Sequence, residues 1–247
     1  MSQEGSRKSL RLPGRWRSWA LATLLTSLAL PAATVSARPA DQAPAAPREA
    51  ESAVAAEPRI VRDRVGYGAE RRRQMAAYSE RHYGDREWRL RDPDAIVLHF
   101  TASDSYSSVW STFDSNAPNL GEEPGVCAQY VIKQSGTIGE LVRPGIRCRH
   151  TIGLNHRAIG IEMVQETGRG PHWADRQILA RRPQVRAALR LVAWLQARFE
   201  IRTGDVIGHA MANDSPYFKD LEGWRNDHAD WLERDVRTFH KRLRRLG

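Results

Sequence analysis

The chain has 247 residues, 41 % of them hydrophobic, enough for one or two domains with a sizeable core. Its formal charge of +9 predicts attraction to polyanions: nucleic acid, anionic lipid or an acidic cell-wall polymer. The arginines gather in the N-terminal segment and the last helix, without the interleaved aromatics and glycines of an RNA-binding motif, which argues against a nucleic-acid partner.

Residues 1–37 have the form of an export signal. Arg7, Lys8, Arg11, Arg15 and Arg17 supply a positive start, Trp19 to Leu30 is apolar, and Val35-Ser36-Ala37 fits a small-x-small cleavage site. The apolar run is short for a spanning helix, so no stable membrane span is expected after cleavage. The expected product is a periplasmic or secreted monomer. Residues 38–58, rich in Ala, Pro and Glu, read as a linker, and the folded domain as 59–247. Export implies an oxidising compartment, where Cys127 and Cys148 read as a disulfide. Their separation is unlike the Cys-x-x-Cys of a zinc knuckle.

Within the domain, Gly68 to Tyr83 reads as a helix stopped by Gly84. A charged connector follows. Ile96, Val97 and Leu98 then form an apolar run that reads as a strand buried on both faces and ending in His99. Ser107 to Phe113 has helical spacing, and Asn116 to Gly125 is loop. Val126 to Lys133 and Thr137 to Val142 read as a hairpin around Ser135-Gly136. Ala158 to Val164 is a strong strand signal that carries Glu162 in its middle, and Gln165 to Pro171 reads as loop. After Pro183, the residues Val185, Ala188, Leu189, Val192, Leu195 and Phe199 make one helical stripe. Asp205 to His209 is a short strand that again ends in a histidine, and 210–227 is a long polar loop. The last helix has Leu232, Val236, Phe239, Leu243 and Leu246 on one face. Helices mixed with strands and a hairpin predict an α/β domain, a mixed central β-sheet flanked by helices.

The chemistry-bearing residues follow one pattern. His99 and His209 each end a short apolar strand, and Asp230 precedes the last helix. Two histidines and a carboxylate, with one position left for water, form a catalytic zinc set. Amide hydrolysis also needs a carboxylate to move a proton, and Glu162 is the candidate. Spacing alone leaves alternatives open. Asp230 with Glu233 also makes a helix capping box, Glu162 could pair with an arginine, and His228 could be a surface residue.

Five segments stand in a telling order: Ile96-Val97-Leu98-His99-Phe100-Thr101-Ala102, Tyr130 to Ile138, Arg149-His150-Thr151-Ile152-Gly153, Ala158-Ile159-Gly160-Ile161-Glu162 and Val206-Ile207-Gly208-His209. Together they resemble the zinc-dependent N-acetylmuramoyl-L-alanine amidases of the amidase-2 type, which share a fold with peptidoglycan recognition proteins. The resemblance spans about residues 75–232. It implies Zn2+ on His99, His209 and Asp230, with Glu162 as the catalytic glutamate. His228 takes the place of an oxyanion-stabilising lysine, and His150 and Asn155 line the substrate groove. The implied substrate is peptidoglycan or a muropeptide, cut between N-acetylmuramic acid and L-alanine. The long loop before Asp230 leaves Asp220 and Asp227 as rival third ligands, and His-x-Asp spacing favours Asp230. Gln129 stands where relatives often carry a histidine and receives no role. A recognition module that binds without cutting is the second reading. Recognition-only relatives usually lose a ligand, and the presence of both Glu162 and Asp230 favours the enzyme.

Overall fold

The computed structural model of the chain describes residues 55–246. The expected export signal and most of the expected linker lie outside the described residues.

Six strands form one mixed sheet. They are β1 (Ile60–Arg62), β2 (Ala95–Phe100), β3 (Tyr130–Ile132), β4 (Ile138–Glu140), β5 (Ala158–Met163) and β6 (Val206–Gly208). Their order across the sheet is β1-β4-β3-β5-β2-β6. All neighbours pair in parallel except the β3–β4 hairpin. Among the described residues the α-helices are α1 (Ala69–Tyr83), α2 (Tyr106–Asp114), α3 (Pro171–Ala180), α4 (Arg182–Phe199) and α5 (Glu233–Leu243). Among the described residues no helix is long and apolar enough to cross a membrane.

Strand alternation sorts the core. Ile96 and Leu98 of β2, with Ile159 and Ile161 of β5, pack among Leu191, Val192 and Leu195 of α4 and Phe239 of α5. The intervening residues turn to the other face, where Ala95, Val97 and Ala158 meet Leu154 and Ile207. His99 and Glu162 continue this second series one step further along each strand. The register sets Val97 opposite Gly160 and His99 opposite Glu162. Two adjacent parallel strands therefore deliver a histidine and a carboxylate at the same height. A further cluster joins Val131 and Leu141 to Val109 and Phe113 of α2 and to Cys127 and Cys148. Those cysteines form the expected disulfide.

Several boundaries differ from the sequence reading. The hairpin arms are shorter because the ladder is interrupted at Gln129, whose carbonyl accepts from both Leu141 N and Val142 N, two residues opposing one. The edge strand β1 and the helix α3 were not expected. β1 is three residues long with two of them exposed, so it carries little pattern. In α3 only Ala174, Ile178 and Leu179 are buried apolar residues, and the stripe is too thin to stand out. α5 ends at Leu243, and Leu246, expected on its apolar face, is 49 % exposed.

Candidate active site and metal centre

His99 stands near the C-terminal end of β2, and the turn into α5 carries Asp230. His209 directly follows β6 as the first residue of a short 3-10 turn (His209–Asp214), where the sequence predicted strand and then loop. All three are buried, and one ligand atom from each lies within 4.8 Å of the others. His99 Nδ1 is 3.0 Å from His209 Nδ1, His209 Nδ1 is 3.1 Å from Asp230 Oδ1, and His99 Nδ1 is 3.4 Å from Asp230 Oδ2.

Two glycines make this approach possible. A Cβ on Gly208 would sit 1.7 Å from the Trp231 carbonyl oxygen, so only glycine before His209 lets the Asp230–Trp231 backbone cross β6. A Cβ on Gly160 would sit 2.7 Å from His150 Cγ, so glycine on β5 makes room for that ring. Trp231, fully buried, fixes the turn by donating its Nε1–H to the His99 carbonyl. Asp175 of α3 accepts from the backbone N–H groups of Trp231 and Leu232. Asp230 is thus not the N-cap of α5: that position is Leu232, and the Asp230 carboxylate faces the histidines.

A hydrogen-bond chain orients His99. The Ala158 carbonyl can only accept, so His150 Nε2 carries the proton it donates there (3.2 Å). His150 Nδ1 is then an acceptor and takes the proton of His99 Nε2 at 3.2 Å. Thr151 Oγ1 braces both rings, 2.8 Å from His150 Nδ1 and 3.3 Å from His99 Nε2. His99 Nδ1 is left with a bare lone pair directed at His209 and Asp230. Two imidazole nitrogens and a carboxylate converging on one point are the donor set of a divalent zinc-like cation, and the residues fit such an ion.

The electrostatics agree. Burial, reinforced by His209, pushes His99 down to about 4, so it stays neutral and able to ligate. Burial alone would raise Asp230, but the adjoining His209 and His99 rings outweigh it and hold the carboxylate well below its ordinary range. Glu162 is pushed up to about 8 by burial and then by the Asp230 charge. Its Oε2 is shielded from solvent and has no hydrogen-bond partner, and no arginine pairs with it among the described residues. His228 is exposed and lies stacked on His209, ring centroids 4.3 Å apart, with Nδ1 3.8 Å from Asp230 Oδ1.

The rival aspartates are elsewhere. Asp220 lies 2.8 Å from His82 Nδ1 in a buried pair, and Asp227 is exposed. His150 and Asn155 do line the cavity of about 510 Å³ in which His99, Glu162, His228 and Asp230 also lie. Their polar atoms are committed inward. Asn155 Oδ1 accepts from the His150 and Thr151 backbone N–H groups, and its Nδ2 donates to the Tyr78 and Tyr83 hydroxyls. Gln129, given no role from sequence, is fully buried and bridges the gap in the ladder. It donates to the Ile146 carbonyl and accepts from Gly160 N. An isolated glutamine gave no signal for this. A glycine directly before a candidate ligand histidine, as in Gly208-His209, was the clue available for the close crossing at β6.

Residues 89–227 match the family model described as N-acetylmuramoyl-L-alanine amidase, amidase-2 type. The chain belongs to that family. Its members hydrolyse the amide between N-acetylmuramic acid and the peptide stem of peptidoglycan, and the chain is an enzyme of this class. The match to the amidase model ends three residues before Asp230, whose position here comes from the geometry alone. Solved structures similar to this amidase include the catalytic domain of XlyA, at 15 % identity and TM-score 0.48 over 76 % of this chain and 99 % of that one. Another is the endolysin N-acetylmuramoyl-L-alanine amidase LysCS from Clostridium intestinale, at 17 % identity and TM-score 0.44 over 74 % and 96 %. A third is AmiD from E. coli, in complex with anhydro-N-acetylmuramic acid-L-Ala-D-gamma-Glu-L-Lys, at 19 % identity and TM-score 0.41 over 61 % and 58 %. No curated protein sequence matches the chain.

Proposed function

We propose that this amidase is zinc-dependent, that residues 59–247 form its catalytic domain, and that it acts as an exported monomer on peptidoglycan or muropeptides. The reading is carried by one observation: His99, His209 and Asp230 converge beside Glu162, at the ends of parallel strands and at the floor of one cavity. His99, His209 and Asp230 would hold the ion. When bound, zinc supplies Lewis-acid polarisation of the scissile carbonyl and lowers the pKa of water to about 7.

The chain's own residues do the rest. Glu162, raised in proton affinity, takes the proton of the attacking water and returns it to the leaving L-alanine nitrogen. His228, exposed and lining the cavity beside Asp230, would donate to the oxygen on which negative charge develops. Thr151 and His150 hold the His99 ring in one orientation. His150 and Asn155 shape the wall against which the muramyl-peptide lies. The retained Glu162 and Asp230 favour cutting over recognition alone.

Metal analysis of the purified chain, with mass spectrometry of digested sacculi, tests the reading. The expected results are one zinc per chain and products that end in free lactyl-muramic acid and free L-alanine. Glu162→Ala should keep the zinc and lose cleavage by about 10²-fold or more. Retained turnover in that variant would remove Glu162 from the mechanism.

A further inference from the structure

We propose that a second hollow, at the opposite edge of the sheet from the metal centre, binds the phosphodiester backbone of an anionic polymer. This cavity of about 610 Å³ lies beside β1 and β4 and shares no lining residue with the catalytic one. Six arginines line it against two carboxylates, Glu57 and Glu140. Glu140 is taken by Arg64, which donates to it through Nε at 2.9 Å. Among the described residues, Arg62, Arg72, Arg143 and Arg198 have neither an ion-pair partner nor a side-chain hydrogen bond. Four such charges around one concavity, three of them on exposed side chains, give it a positive potential that attracts an anion.

The donors are also held in place. Arg72 and Arg89 lie over the Trp88 ring, 4.7 and 4.2 Å from its centroid, and Arg198 lies over Trp194 at 5.2 Å. A guanidinium held over an aromatic ring loses less freedom on binding, which suits contact with phosphate. Arg72 is half-buried, and its Nε is covered and without a partner. The half-buried Arg72 side chain, set among exposed arginines, is reached by a chain that enters the hollow, and not by a flat bilayer surface. The volume exceeds what a single phosphate needs and fits a segment of polymer.

The test uses the whole amidase and soluble poly(glycerol phosphate), followed by calorimetry over a range of salt. Wild type should bind saturably. R143E/R198E should weaken binding by about tenfold or more, and R143Q/R198Q should cut the salt slope by about one per arginine lost. R244E/R245E, the same charge change at exposed C-terminal positions, should shift binding by less than about twofold. Muropeptide hydrolysis should be unchanged in both Glu variants, which separates this site from the catalytic one. The proposal is overturned by any of four results: no saturable binding, equal losses in both Glu variants, equal affinity for polyglutamate, or tighter binding to phosphatidylglycerol vesicles than to the polymer.

Discussion

Replacing Gly208 by alanine tests how Asp230, the proposed third ligand, is positioned. Gly208 has φ −85° and ψ 155°, ordinary extended values that alanine adopts freely, so the substitution adds no backbone strain. Its whole effect is steric. The new Cβ would lie 1.7 Å from the Trp231 carbonyl oxygen, whereas real contacts begin near 3.0 Å, so one backbone must retreat by about 1.3 Å. β6 is held in the parallel ladder with β2, so the turn that carries Asp230 and Trp231 is the part that gives. Asp230 oxygens now lie 3.1 and 3.4 Å from the two histidine nitrogens, and metal distances tolerate only about ±0.2 Å. The expected cost is about 10- to 100-fold in zinc affinity, together with about 1–3 kcal/mol of stability from overpacking around the fully buried Trp231. Zinc affinity is read by competition with a chromophoric chelator, and stability by urea unfolding of the metal-free chain. Gly204→Ala, where a Cβ meets nothing within 4 Å, is the control and should leave both unchanged. If Gly208→Ala matched Gly204→Ala in both measurements, the argument that glycine seats Asp230 would fail.

Three other outcomes follow from the same geometry. Gln129→Leu leaves the buried Gly160 N–H and Ile146 carbonyl without partners, and should lower the urea-unfolding free energy by about 2–4 kcal/mol; a loss below about 0.5 kcal/mol would contradict the bridging role. Reduction of the Cys127–Cys148 bond, or Cys127→Ser with Cys148→Ser, should cost about 2–4 kcal/mol in the same assay, because the 21-residue separation closes a substantial loop. His156 is pushed down to about 4 by burial, with Arg147 and Arg157 adding to the effect. The folded chain therefore binds fewer protons than the unfolded chain between pH 6.5 and 4, and this contribution to stability is lost as pH falls through that window. Partial exposure limits it to about 2 kcal/mol. His156→Gln should flatten that part of the urea-midpoint profile, and an unchanged acid slope would exclude His156 as its source.

Much of the site was legible because its supports are strongly patterned. The runs Ala95–Phe100 and Ala158–Met163 are apolar and β-branched enough to be central parallel strands, and each carries its polar residue near the C-terminal end. What the pattern could not supply was convergence. Asp220, Asp227 and Asp230 stand in similar polar sequence, and only tertiary contacts separate them: Asp220 pairs with His82, Asp227 meets solvent, and Asp230 is carried over Gly208 to the histidines. Gln129 and Asp175 were invisible for the same reason. Each serves backbone groups far away in sequence, and no local rule marks a residue that does so. The edge strand β1 and the thin stripe of α3 were missed because each buries too few apolar side chains to impose a period.

The pairing of β2 with β5 acts as a ruler. Main-chain hydrogen bonds between the two strands set the backbone interval between His99 and Glu162. Changes confined to the exposed tips of the stretches 116–125 and 210–227, at Leu120 and Leu221, therefore leave the His99–Glu162 interval unchanged. Substitution of Leu120, which lines the catalytic cavity, would be expected to change which stem peptide is accepted and to leave that interval as it is.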